Sequence, residues 1–160
     1  MEAKLKDLVS PIYLELGAVL QVSQQMEFAM SFALTLMKQS KEGILDDSEF
    51  DDSMNKFSKQ TLGRLIGGVK KVIEFDEESE EALKLALDER NYIIHGFFHD
   101  EPERFTTPKG RKQLLSRVKE ARKNIDPGYR ILDSIVALLM EANGMSLEKV
   151  MQEVKQSVKY

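Results

Sequence analysis

Residues 82–98 read Ala82-Leu-Lys-Leu-Ala-Leu-Asp-Glu-Arg90-Asn91-Tyr92-Ile-Ile-His95-Gly-Phe-Phe98. The apolar residues recur at helical spacing and the composition favours helix, so the stretch predicts one long helix, from about Glu77 to Phe98. At about 100° per residue, with Arg90 at zero, Ala86, Phe97, Leu83, Ile94 and Leu87 all fall within about 60° on either side. Arg90 therefore sits in the middle of the apolar face. An unpaired buried guanidinium is very costly, so Arg90 needs an acidic partner, an anion or an opening to solvent. Asn91 falls near 100° and His95 near 140°, at the rim of the same arc. Ala82 and Ala86 permit close approach of another helix, and Gly96 lets backbone or ligand come near. Together these residues outline a polar notch at the end of an apolar helix face. Tyr92 falls on the opposite side, close to Leu85, and is expected to pack there.

The rest of the chain is also read as helical, which predicts an all-α fold: a bundle of four to six helices in a single domain, residues 1–160. A first helix is expected from about Pro11 to Gln39, with Leu16, Leu20, Met26, Met30, Ala33 and Met37 at core spacing. Residues 40–55 are polar and acidic and read as a loop with at most one helical turn. They lack the alternating oxygen ligands and central glycine of a calcium loop. A second helix is expected over about 53–73. Its glycines and lysines do not form a phosphate-binding loop, because Val69 separates Gly68 from Lys70; close helix packing at Gly63 and Gly67 is expected instead. Ser79 or Asp76 is expected to cap the third helix. A proline-bounded loop, 99–108, is followed by a fourth helix over about 108–124. Asp126-Pro127-Gly128 predicts a break or kink before a fifth helix, 128–142. Asn143-Gly144 should end that helix, and Ser146 should start a short terminal one.

Composition narrows the function. The chain has 160 residues, a net charge of -4 and no cysteine, which excludes a disulfide framework and a Cys-based zinc site. No run of about 18 apolar residues exists, so no membrane span is expected. Near the N-terminus Asp7, Pro11 and Glu15 interrupt any signal-peptide apolar region, and the expected location is cytoplasmic. An acidic chain does not coat nucleic acid, so any such contact must be local. The candidate patch is Lys109-Gly110-Arg111-Lys112 with Arg117, Lys119, Arg122 and Lys123, to be weighed against an ordinary solvated helix face.

The notch has chemistry suited to phosphodiesters. A guanidinium gives planar donors to phosphate, an imidazole serves as general base or acid, and an asparagine amide orients the ring or donates to phosphate. No carboxylate cluster for metal-assisted cleavage accompanies them, and no metal or other cofactor is expected. RNA does not require one, because its own 2'-hydroxyl can attack the adjacent phosphate. That reaction needs a base, an acid and charge stabilisation.

Arg90-Asn91-Tyr-Ile-Ile-His95 resembles the Arg-x4–6-His signature of the HEPN superfamily, including the polar residue after arginine that its RNases often carry. The resemblance covers about residues 80–98 closely. It implies an all-helical homodimer with the signature helix at the dimer cleft. It further implies a metal-independent endoribonuclease with Arg90, Asn91 and His95 as active residues, two protomers each giving a histidine to one cleft. Toxin–antitoxin, abortive-infection and CRISPR-associated systems are the settings it suggests, with RNA as substrate and an antitoxin or nucleotidyltransferase-like partner.

Three other readings stand beside this one. The same notch could serve a non-catalytic HEPN-like dimer that binds a nucleotide, an RNA or a protein. Arg90 could pair with a core carboxylate such as Glu15 or Glu27 and act on stability alone. His95, His99 and the adjacent Asp100 could hold a metal, although no third strong ligand is in view. Geometry raises one further demand: on a regular helix Arg90 and His95 are about 140° apart. Both reach one phosphate only if the arginine side chain swings over or the helix loosens at Gly96.

Overall fold

The structure is a computed structural model that describes residues 9–100, 102–146, 148–149 and 152. The described residues are all-α and contain no strand. The helices are α1 (Val9–Glu42), α2 (Asp47–Ser58), α3 (Leu62–Val69), α4 (Glu77–Asn91), α5 (Phe97–Asp100) and α6 (Pro108–Ala142). A π-helical turn, Tyr92–Gly96, joins α4 to α5, and a 3-10 turn spans Pro102–Thr106. No helix among the described residues is long and apolar enough to cross a membrane. The opening residues weighed for a signal peptide, and much of the terminal helix expected from Ser146, lie outside the described residues; Lys149 N–H does bond Ser146 Oγ at 3.2 Å.

Contacts divide the chain into two compact units, Met1–Met26 with Phe75–Ile131, and Glu27–Glu74 with Leu132–Tyr160. In the first unit, α4 packs on α6 at Gly128, and α1 is tied to α6 by the Glu15–Arg122 ion pair. The two long helices carry buried residues at spacings of three, four and seven, the repeat that keeps one stripe facing a neighbour. On α1 these are Ile12, Val19, Ser23 and Met26 in the first unit, and Met30 and Ala33 in the second. Leu20, expected in that core, is instead 47% exposed. On α6 they are Arg111, Leu114, Val118, Ala121, Ile125 and Gly128 in the first unit, and Leu132 and Ile135 in the second.

The α6 stripe corrects the expected break at Asp126-Pro127-Gly128, because the helix runs through all three residues. Pro127 removes one helical hydrogen bond, at a cost of about 3 kcal/mol. Ile125 and Leu132, at most 1% exposed on either side of it, each contribute about 1.5–3 kcal/mol by burial, and that requires an unbroken stripe. Gly128 is where α4 comes closest. A Cβ there would lie 2.4 Å from Ala86 Cβ and 3.1 Å from the Ala82 carbonyl oxygen. The small residues predicted to admit another helix thus meet a glycine.

The second unit corrects two more expectations. Residues 47–58, taken mostly as loop, form α2, opened by a capping box. Asp46 Oδ1 accepts from Glu49 N–H at 2.8 Å, and Glu49 Oε2 accepts from Asp46 N–H at 3.0 Å. The acidic residues suit the positive end of the helix dipole. On the buried side Ser53 meets Thr35 of α1 (3.2 Å). The helix expected over 53–73 is therefore two helices, parted at residues 59–61. Gly67 is not a packing glycine, since nothing lies within 4 Å of a Cβ built there; Gly68 is, with Leu34 at 3.1 Å. Gly144 ends α6 at φ +69, and Met145 N–H closes back to the Met140 carbonyl at 2.9 Å.

At the start of α4 the cap is Asp76, which accepts from Ser79 N–H at 2.8 Å. The Ser79 hydroxyl first, and this backbone bond second, hold its carboxyl below the usual carboxylate range. A lowered carboxyl stabilises the fold above its unfolded value and loses that contribution as pH falls through the folded one. Acidification should therefore fray the first turn of α4 early, seen as a lower Ser79 amide protection factor, the exchange rate being taken relative to the intrinsic rate at each pH. Asp76→Asn, which caps without a charge, should flatten that dependence; an unchanged pH profile in the variant would contradict it.

Candidate functional site

The notch residues stand where α4 gives way to the π turn. Leu83, Ala86, Ile93 and Phe97 are buried at spacings of three, seven and four, and Arg90 occupies the position between Ala86 and Ile93. It is half-buried, whereas Asn91 and His95 are exposed. Arg90 Nη1 donates to Asn91 Oδ1 at 3.0 Å. This bond joins two of the three residues singled out and leaves the Asn91 amide nitrogen as an outward donor. His95 is exposed and makes no hydrogen bond or ion pair among the described residues.

The helix loosens where the geometry required it. Phe97 N–H reaches back five residues to the Tyr92 carbonyl, closing the π turn Tyr92–Gly96. A turn closed in this way holds about 4.4 residues, so each advances roughly 82° rather than 100°. Four such steps after Asn91 bring His95 to about 70° from Arg90, against about 140° on a regular helix. π turns of this kind sit often at functional sites. Gly96 closes the turn, and a Cβ there would press on the Tyr92 ring and on the Asp100 carboxylate, each at 3.2 Å. The glycine is thus required by its own helix rather than by an approaching one.

Tyr92, expected to pack on the far side of the helix, is half-buried. Its ring carries the Arg117 guanidinium of α6 at 4.6 Å and meets Phe97 edge-on at 6.4 Å. Arg117 also bonds Glu89 Oε2 at 2.6 Å, and Asn124, two turns along α6, donates to Glu89 Oε1 at 2.9 Å. Both oxygens of a nearly buried carboxylate are thus held from one face of α6. Residue spacing missed this cluster: Glu89 lies about 100° from Arg90, off the face of interest, and Arg117 reads as one basic residue among many. The seven-residue interval from Arg117 to Asn124 was the available signal.

The basic patch does not form one surface. Arg111 is 6% exposed and donates to the Phe105 carbonyl; Arg117 is held by Glu89; Arg122 bonds Glu15 at 3.0 Å. Lys109, Lys112, Lys119 and Lys123 remain exposed. Glu15, one of the two carboxylates considered for Arg90, is thus taken by Arg122. His99 is exposed and stands 3.9 Å from Asp100. Among the described residues no three His, Cys, Asp or Glu side chains are grouped to hold a metal.

No family model, curated protein or solved structure matches the chain.

Proposed function

We propose that this chain is a metal-independent endoribonuclease of the HEPN type, acting as a homodimer in a toxin–antitoxin or phage-defence setting. The observation that carries the reading is the π turn between Arg90 and His95, which turns an exposed imidazole toward the arginine side of the helix. Arg90 clamps the scissile phosphate and offsets charge as the phosphorane forms. Asn91, already bonded to Arg90, donates its amide to a phosphate oxygen. One His95 takes the proton of the RNA 2'-hydroxyl as its oxygen attacks phosphorus. The second protomer's His95 protonates the departing 5'-oxygen. The products are a 2',3'-cyclic phosphate and a free 5'-hydroxyl.

The purified full-length chain should cleave a labelled RNA pool in EDTA, leaving 2',3'-cyclic phosphate ends. Cleavage that requires a divalent ion, or ends of another chemistry, would contradict the mechanism. A second reading is a dimeric HEPN-like module that binds a nucleotide, RNA or protein without turnover; it is favoured by the lack of a continuous basic path for a substrate RNA, since Arg111, Arg117 and Arg122 are engaged within the chain. Saturable RNA binding with no product at high protein concentration would select it.

A further inference from the structure

We infer that Arg117 is a positioning residue that holds the π turn open, and with it the relative orientation of Arg90 and His95; this rests on the endoribonuclease reading above. The guanidinium grips the helix on both sides of Arg90. It bonds Glu89 at 2.6 Å and lies over the Tyr92 ring at 4.6 Å. Its Nη1 is buried and makes no hydrogen bond, as suits a cation laid on an aromatic face. Glu89 is fixed in turn by Asn124 at 2.9 Å, and its side chain is 11% exposed, so the ion pair is largely shielded from water.

The same ring reports on the turn. Tyr92 and Phe97 are five residues apart, which places them about 140° from each other on a regular α-helix and out of contact. In the wide turn their backbones share the closing hydrogen bond and their rings meet edge-on at 6.4 Å. Arg117 lies over the Tyr92 ring of that pair. Removing it takes the cation off the Tyr92 ring, leaves Glu89 tied to α6 by Asn124 alone, and lets the last turns of α4 return toward ordinary helical pitch. That return carries His95 away from Arg90. Arg117 contacts no reacting atom in this scheme; it acts through the turn.

The test uses the full chain and two variants. Glu89→Gln with Arg117→Met removes the clamp without stranding a buried carboxylate. Arg117→Lys keeps the charge but loses the planar cation that stacks on Tyr92. In the double variant the Phe97 amide should exchange about tenfold faster or more, with Ile125 and Leu132 amides of α6 unchanged. RNA cleavage should lose about tenfold or more in kcat with little change in KM. Arg117→Lys should fall between the double variant and the native chain on both measures. Unchanged Phe97 exchange, exchange that rises equally along α6, or unchanged kcat would each overturn the inference. Should the native chain cleave no RNA, the endoribonuclease reading fails, while Phe97 exchange still decides whether Arg117 holds the turn.

Discussion

His95→Ala is expected to abolish RNA cleavage, a loss of about 10²–10⁴-fold, while stability changes by no more than about 0.5 kcal/mol. The two halves of this prediction have separate causes. The imidazole is exposed and bonded to nothing among the described residues, so folding loses neither burial nor a hydrogen bond when it goes. Catalysis by the proposed scheme loses both its base and its acid, because each protomer gives the same residue. Arg90→Met sharpens the case, since methionine can occupy the half-buried seam position between Ala86 and Ile93 without the charge. On the endoribonuclease reading it also eliminates cleavage. If Arg90 served only the fold, the variant would change thermal or denaturant stability and leave cleavage alone. Turnover that survives loss of His95 would rule out the mechanism whatever Arg90 does.

The second large effect is structural and opposite in sign at two glycines. Gly128→Ala should destabilise by about 1–3 kcal/mol, the usual cost of overpacking. The new methyl would lie 2.4 Å from Ala86 Cβ and 3.1 Å from the backbone oxygen of Ala82, and neither can rotate away. Alanine's better helix propensity, worth about 1 kcal/mol, does not offset a backbone displacement between α4 and α6. Gly67→Ala should stabilise by about 0.5–1 kcal/mol, because it gains the same propensity with nothing within 4 Å to collide with. Denaturant midpoints for the pair, at a constant slope, decide both signs. A Gly128→Ala protein as stable as Gly67→Ala would mean that α4 and α6 are not packed as closely as this geometry requires.

Much of the fold was legible along the chain because its signals are local. Spacings of three and four identify helices, Asp76 starts one and Gly144 stops another, and the all-α class follows. The errors arose where local punctuation competed with a longer-range stripe. Asp126-Pro127-Gly128 looks like a break, yet Ile125, Gly128 and Leu132 continue one buried row, and burial along that row outweighs the single lost hydrogen bond. Residues 46–49 look like an acidic loop, yet Asp46 and Glu49 have the capping-box spacing and their charges favour a helix start.

Arg90, Asn91 and His95 can be named from sequence, because a charge and two polar groups on an apolar helical face conflict with burial in any fold. Their arrangement cannot. Regular helical pitch sets His95 about 140° from Arg90. Only tertiary packing, with Arg117 and Asn124 of α6 on Glu89 and the Arg117 cation over Tyr92, accompanies the wide turn that brings them nearer. The sequence by itself determined which residues are polar where they should be apolar, since that depends on spacing alone. The tertiary structure decided which way they face, since a π turn gives up regular helical geometry and needs contacts from another helix to hold it.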